Sequence, residues 1–310
     1  MDPDYELFVQ VAESGSLSAG GRVLGLSPAM VSKRLARLEA RLGVQLIHRT
    51  TRRLALTAPG DLFYRDAVSI LTMIAEAEAR VTGQAGVLSG VLRVSAPTSF
   101  GRLHLAPHLK PFLDAHPHLT LELDLSDAFV DLLSERIDVA IRIGADVGHG
   151  LTAKRLSTSR RVLCASPDYL ARSGAPRTIA ELKQHRLLAA SGQFPWTLIG
   201  RRGAVTVDEV SHVRTNSSEV VRELALAGVG IALRSLWDVG HDLSEGRLTR
   251  VLRDYRGSSE TGIYAVTPNT TLRPHSVTSF IDFLAHLYGE PAPWELGRGR
   301  MVSAASRRRG

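Results

Sequence analysis

The sequence predicts an α/β protein that opens with an all-α-type module carrying a small β-hairpin and continues into a larger α/β domain. Two observations carry this fold class. Apolar residues recur at helical spacing between capping and stopping signals as far as residue 82, and from Val91 onward short β-rich runs alternate with helical stretches. A third observation bounds it: 310 residues at 44% apolar and 22% charged give enough chain for at least two cores and enough apolar side chains to fill them.

The first helix is expected over residues 5–13, where Leu7, Phe8, Val11 and Ala12 share one face and Gly15 supplies a stop. A second fits residues 16–24, with Ser16 as cap, Ala19 and Gly20 small enough for close packing, and Gly25 at its end. The third follows almost at once. Ser27 is a good N-cap, Pro28 suits the first turn, Val31, Leu35, Leu38 and Leu42 recur at 4, 3, 4 spacing, and Gly43 terminates it. Two short apolar runs at 44–47 and 54–56 then flank His48, Arg49, Thr50, Thr51, Arg52 and Arg53, which reads as a hairpin with a basic tip. Residues 1–60 are thus a winged helix-turn-helix.

The charge on this module points to nucleic acid. With Val31, Leu35 and Leu38 facing inward, Lys33, Arg34, Arg37 and Arg41 project from the other sides of the third helix. Such a helix enters the major groove with its first residues at base edges, here Pro28, Ala29, Ser32 and Lys33, while basic and hydroxyl groups hold phosphates. The expected DNA contacts are Ser27, Pro28, Ala29, Ser32, Lys33, Arg34, Arg37, Arg49, Thr50, Arg52 and Arg53. The alternative is a solvated helix face beside a polar loop. From Lys33 to Arg53, seven Lys and Arg stand against one acid, Glu39, which favours DNA.

A helix is expected next over residues 61–83. Its Phe63, Ala67, Ile70, Ile74, Ala77 and Val81 repeat at 4, 3, 4, 3, 4 spacing, the seam of a helix that packs on another helix. Two readings stand: a dimer seam, or an amphipathic helix lying on its own domain. Residues 84–90, rich in Gly with little charge, read as a hinge.

In the α/β part the expected strands lie at 91–96, 119–125, 139–143, 161–165 and 263–266. Thr98 and Ser99 follow the first strand, and Asn216 and Ser217 precede a helix expected over 219–227, so both places offer hydroxyls and helix-start N–H groups to an anion. Arg142 at a strand end can complete a carboxylate site, with Phe100, Phe194 and Trp196 as apolar wall. Each has a structural alternative: caps that serve only the fold, Arg142 paired with an acid, Trp196 in the core.

Other classes of function find little support. The chain has no GxSxG, no strand followed by GxGxxG and no P-loop, so no enzyme is expected. Its single cysteine, Cys164, cannot form an internal disulfide and reads as a core residue; there is no HExxH run, and neither a metal nor a cofactor is expected. The net charge of +7 and isoelectric point of about 10 suit a polyanionic partner. The opening MDPDYELFVQ carries no leader pattern and no long apolar span follows, so a cytoplasmic location without membrane contact is expected. Residues 291–310, polar and ending in Arg307, Arg308 and Arg309, read as a disordered basic tail.

The stretch LGLSPAMVSKRLARLEARLGVQLIHRTTRRLALT, preceded by VAESGSL, resembles the LysR-type winged helix-turn-helix, with LExRLGVxLxxRTxRxxxLT in the expected order and spacing. Pro28-Ala29 departs from the Gln-Pro pair that many members carry there, so base readout cannot be copied from them. LRVSAPTSFG, RIDVAIRIG, LCASPDYL and LALAGVGIAL resemble the effector domain of the same family. That likeness implies a two-lobed, periplasmic-binding-protein-like α/β domain over 91–290, with lobe one at 91–163 and 267–290 and lobe two at 164–266. Arg234-Ser235 stands where many members have a proline. The resemblance further implies sequence-specific transcription control at a pseudo-palindromic operator. It implies pairing through the linker helix into a homodimer and onward to a tetramer, RNA polymerase as a partner the regulator can engage, and a small-molecule effector between the lobes. The helix starts and Arg142 make a small carboxylate the expected effector.

Overall fold

The computed structural model describes residues 2–49, 54–81, 88–128, 131–132, 134–145, 148, 150–269, 273–289 and 292–295. It divides into two compact units: the first holds residues 1–91 with 115–120 and 270–278, the second the remainder.

The first unit contains α1 (Pro3–Ser14), α2 (Leu17–Val23), α3 (Pro28–Leu42), β1 (Ile47–Arg49), β2 (Leu54–Leu56) and α4 (Ala58–Val81). The signals read from the sequence act as expected. Ser16 and Ser27 accept hydrogen bonds from Ala19 N and Met30 N, and Gly15 and Gly43 close α1 and α3 in the left-handed conformation. The core unites Leu7, Phe8 and Val11 of α1 with Val31, Leu35 and Leu38 of α3, Leu46, Ile47, and Tyr64 and Ala67 of α4. Gly20 permits the α1–α2 approach, since a Cβ there would lie 2.7 Å from Val11 Cα. The hairpin pairs Ile47 with Leu56 and Arg49 with Leu54; its turn, including Thr50, Arg52 and Arg53, lies outside the described residues, as do hinge residues 84–87.

The second unit has two lobes. In chain order its elements are β3 (Ser89–Ala96), α5 (Thr98–Phe100), α6 (Lys110–Ala115), β4 (His118–Leu125), β5 (Val139–Gly144), β6 (Leu151–Thr158), β7 (Arg161–Ala165), α7 (Pro167–Ser173), β8 (Leu187–Leu188), β9 (Trp196–Gly200) and β10 (Gly203–Val207). There follow α8 (Ser218–Leu226), β11 (Ile231–Ser235), α9 (Leu236–Ser244), β12 (Thr249–Arg250), β13 (Arg256–Gly257), β14 (Gly262–Pro268) and α10 (His275–Leu287). A five-stranded sheet ordered β4-β3-β5-β14-β6 builds lobe one, in which β3 and β5 are parallel and β14 runs antiparallel to both neighbours.

Lobe two is built on β12-β7-β11-β8 and a small antiparallel sheet, β10-β9-β13. Its central sheet is buried on both faces because the side chains of β7 and β11 alternate. Leu163, Ala165, Ile231 and Leu233 meet Trp196 on one side, whereas Val162, Cys164 and Ala232 meet α8 and α9 on the other. Cys164 is buried, and that burial pushes its thiol pKa up to about 12, which makes it a packing residue rather than a reactive one.

Two sequence-derived boundaries shift. The expected crossovers near Cys164 and Thr267 lie earlier, between β6 and β7 and between β13 and β14: Arg161–Ala165 belongs entirely to the lobe-two sheet, and β14 is a central strand of lobe one. The alternation Ile263, Tyr264, Ala265, Val266 fits a position between two partners, which the sequence alone did not place. The expected disordered tail also begins too early. Ala292 is 1% exposed and Trp294 packs against Phe100, His104 and Tyr288, so residues 292–295 are part of the folded domain, where they also meet α9; residues 296–310 lie outside the described residues.

Candidate nucleic-acid interface and effector cleft

Ser27, Pro28, Ala29, Met30 and Lys33 are exposed at the start of α3 and form its free face. Ser32 is half-buried beside them. Met30, at 52% exposure, was missed by reasoning that watched charge alone. An exposed apolar side chain on the first turn of such a helix suits the methyl group of thymine.

Arg34 and Arg37 do something else. Asp4, 1% exposed at the start of α1, takes Arg34 Nε on Oδ1 at 2.6 Å and Arg37 Nη2 on Oδ2 at 2.8 Å. Arg41 pairs with Asp2. Burial pushes the Asp4 carboxyl pKa up, but the hydrogen bonds from Arg37 and Arg34 outweigh it and hold the value below the usual range. Arg34, 23% exposed, is thereby held in a clamp of α1 on α3, because a buried carboxylate needs partners, whereas Arg37 joins it through Nη2 and stays 72% exposed. Both are expected at the DNA contact from the sequence; the clamp covers most of Arg34, while Arg37 keeps an exposed side chain beside it. Glu39, the one acid of the basic stretch, accepts from Leu46 N and Ile47 N at 2.9 and 3.1 Å and so anchors the wing to α3. Arg49 ends β1, paired with Leu54 next to the hairpin turn.

The linker seam divides. Phe63, in ring contact with Tyr5 and Phe8, and buried Ala67 pack on their own module, which corrects their assignment to a dimer seam. Ile70, Ile74 and Ala77 stay half-exposed, and Val81 is 89% exposed.

In the second unit the helix starts converge. Pro97 occupies the cap position of α5 and offers no side-chain acceptor. The N–H of Thr98 donates instead to Asp127 Oδ1 at 2.9 Å, while the other oxygen of the same carboxylate accepts from Ser218 N at 2.8 Å. One carboxylate thus bridges lobe one, at the end of β3, and lobe two, at the start of α8. Ser217 caps α8 through Val220 N, and Asn216 is exposed next to it. Ser99 is 1% exposed, and its Oγ has no hydrogen-bond partner among the described residues.

Further ties cross the same junction. Arg102 pairs with Glu219, and His104 Nε2 donates to Trp237 O at 2.7 Å; burial pulls the His104 pKa down, against the opposing effect of that hydrogen bond. Behind α8, Arg234 is 4% exposed, pairs with Asp238 and donates to Ser218 Oγ at 2.8 Å. This residue, which departs from the proline common in the resembled family, fixes the serine that faces Asp127. Asp127 was missed by sequence reasoning; its signal was an acid two residues past the carboxyl end of β4, the edge where α/β sheets bind ligands.

Other expected effector contacts lie elsewhere. Phe100 is fully buried among Trp237, Tyr288 and Trp294, and Trp196 is buried in the lobe-two core, so neither forms a cleft wall. Phe194 stacks on Trp196 at 4.5 Å and lines a cavity of about 270 Å³ within lobe two, with Thr215 and Arg214. Arg142 sits at the carboxyl edge of β5; burial lowers its guanidinium pKa, and Glu135 opposes that shift. His104 and His108 stand four apart, a spacing seen in metal sites, but no group of three His, Cys, Asp or Glu that could hold a metal occurs among the described residues. Among them, too, no helix is long and apolar enough to cross a membrane.

Known proteins share both parts. Residues 3–61 match the family model of the bacterial regulatory helix-turn-helix protein, lysR family, and residues 85–288 match the LysR substrate binding domain. The chain is 35% identical over 294 residues to the HTH-type transcriptional regulator DmlR of Escherichia coli K12, covering 94% of this chain and 95% of that one. It is 34% identical over 290 residues to the regulator CrgA of Neisseria meningitidis serogroup C, covering 92% and 96%. The full-length virulence activator AphB of Vibrio cholerae superposes with a TM-score of 0.58 at 29% identity, covering 92% of this chain and 98% of that one. The structure of CrgA gives a TM-score of 0.58 at 32% identity with the same coverage.

Proposed function

The chain belongs to the LysR family of bacterial helix-turn-helix transcriptional regulators, and we propose that the signal it reads is a small carboxylate held between the lobes of its C-terminal domain. The family assignment makes it a DNA-binding regulator with an effector-binding domain. The carboxylate reading rests on one observation: two helix-start N–H groups, one from each lobe, converge on a carboxylate, that of Asp127. A site that satisfies both oxygens of a carboxylate has the chemistry to accept another.

On this reading two chains pair along Ile70, Ile74, Ala77 and Val81 and set two recognition helices roughly 34 Å apart on a pseudo-palindromic operator. Pairs assemble further into a tetramer that bends the operator. The effector binds one arrangement of the lobes better than the other, and through that difference shifts the population of DNA-bound states that RNA polymerase meets. This function needs no cofactor, no metal and no catalytic step, and it is carried out on the chromosome, in the cytoplasm.

Calorimetry of the full chain against short mono- and dicarboxylates, with the matching uncharged amides and small amines as controls, tests the reading. Binding by carboxylates and not by their amides is expected. Binding by an amide or an amine, with none by any carboxylate, would sink it.

A further inference from the structure

We propose that Asp127 is a built-in latch between the two lobes, so that an effector acts by taking its place rather than by entering an open cleft. Asp127 lies in lobe one, just past β4, yet its carboxylate holds Ser218 N of lobe two as firmly as Thr98 N of its own lobe, at 2.8 and 2.9 Å. Both donors are backbone groups at the first position of a helix, where no intrahelical acceptor exists, so each requires an outside oxygen. Asp127 is exposed, and among the described residues its carboxylate has these two bonds and no ion pair, which leaves its side chain able to swing out.

The rest of the junction reinforces this tie without replacing it. Arg102 and Glu219 pair across the lobes one residue beyond Ser218, and Ser218 is kept in place from behind by Arg234 Nη1 and Gln193 Nε2 on its Oγ, at 2.8 and 2.9 Å. The lobe-two donor is therefore rigid, and the movable member of the bond is the acid. A small carboxylate presents the same two oxygens, so it competes directly with Asp127. Its apparent affinity falls by the fraction of time the latch is shut. This consequence depends on the carboxylate reading above; the latch itself does not.

Two measurements on the full chain separate them. Cysteines introduced by Lys110→Cys in lobe one and Arg201→Cys in lobe two, both on exposed side chains, carry spin labels, while the buried native Cys164 stays unlabelled. Without added carboxylate, Asp127→Ala should lengthen or broaden the distance distribution, and Asp127→Glu should restore part of the change. An unchanged distribution in Asp127→Ala overturns the latch. Titration with sodium succinate and sodium malonate then tests displacement: Asp127→Ala should bind at least ~10-fold more tightly than the parent chain, as expected if the latch is shut about nine-tenths of the time. Equal or weaker binding by the variant overturns displacement. If neither protein binds either anion, the carboxylate reading fails, and the distance distribution alone decides the latch.

Discussion

Arg34 Nε donates to Asp4 Oδ1 at 2.6 Å across thirty positions of sequence, and this bond joins the first helix to α3, the expected recognition helix. Removing the acid leaves Arg34, 23% exposed, without its counter-charge. Asp4→Ala is expected to cost about 3 kcal/mol of stability in the N-terminal module. The pH dependence has a defined sign: a carboxyl whose folded pKa is depressed stabilises above its unfolded value of 3.8, and that contribution is lost as pH falls through the folded value. Melts of the parent chain and Asp4→Asn from pH 7 to pH 3 should converge at the acid end. Equal stability at pH 7 would show that the clamp contributes nothing.

The exposed start of α3 divides affinity from specificity. If the exposed ammonium of Lys33 holds a phosphate rather than the base edge the sequence suggested, Lys33→Ala should weaken binding to all DNA alike and reduce the salt slope by about one unit. Met30→Ala should cost about 1 kcal/mol on the operator and little on scrambled DNA, because an apolar side chain reads a methyl group rather than charge. Fluorescence anisotropy at several salt concentrations distinguishes the two. Equal losses on both DNAs for Met30→Ala would remove it from base readout.

Much of this was legible in the sequence. Ser16, Ser27, Gly15 and Gly43 set the helix boundaries because caps and left-handed stops are local chemistry. The expected strands all formed. What escaped depends on partners distant in sequence: β6, whose Lys154 and Arg155 obscure its period, is a strand because β14 pairs with it, and Arg34 is drawn against α1 because Asp4 is buried beneath it. Asp127 escaped for the same reason, since its two donors lie 29 and 91 positions away.

Gly60 is a second place where packing sets the residue. A Cβ at this position would stand 2.0 Å from Leu46 O, at the point where α4 leaves the wing, and the backbone N of Gly60 also caps onto Thr57 Oγ1. Gly60→Ala must push the wing away from α4, at a cost of about 2 kcal/mol. Loss of operator binding with an unchanged melt of the C-terminal domain is the expected pattern. A variant that melts and binds DNA like the parent would contradict it.

Asp138 carries a pH response of the opposite sign. Burial raises its carboxyl pKa from 3.8 to about 6, although Arg93 N donates to it at 2.8 Å. A raised carboxyl contributes stability below pH 3.8 that is lost as pH rises through about 6. Asp138→Asn keeps an acceptor for Arg93 N without the buried charge, so it should stabilise lobe one at pH 7.5 by up to about 3 kcal/mol and make no difference near pH 3.5. Chemical denaturation at both values measures this; a destabilised variant at pH 7.5 would mean that the charge is needed for the hydrogen bond.

The half-exposed side of α4 gives the last test. Phe63 and Ala67 are consumed by the N-terminal core, so the proposed pairing along α4 is left with Ile70, Ile74, Ala77 and Val81, a shorter stripe than the sequence suggested. Three or four apolar positions at this spacing make one short helix-helix seam, in which a charge at the centre has no partner and cannot reach water. Ile74→Glu should therefore dissociate the pair at micromolar concentration in sedimentation velocity while leaving the melt of the C-terminal domain unchanged. Binding to a full operator should fall at least ~10-fold more than binding to a half-site, because a monomer loses the second contact but keeps the first. An Ile74→Glu chain that still sediments as the parent does would place the seam elsewhere and return α4 to the alternative of a helix that serves only its own domain.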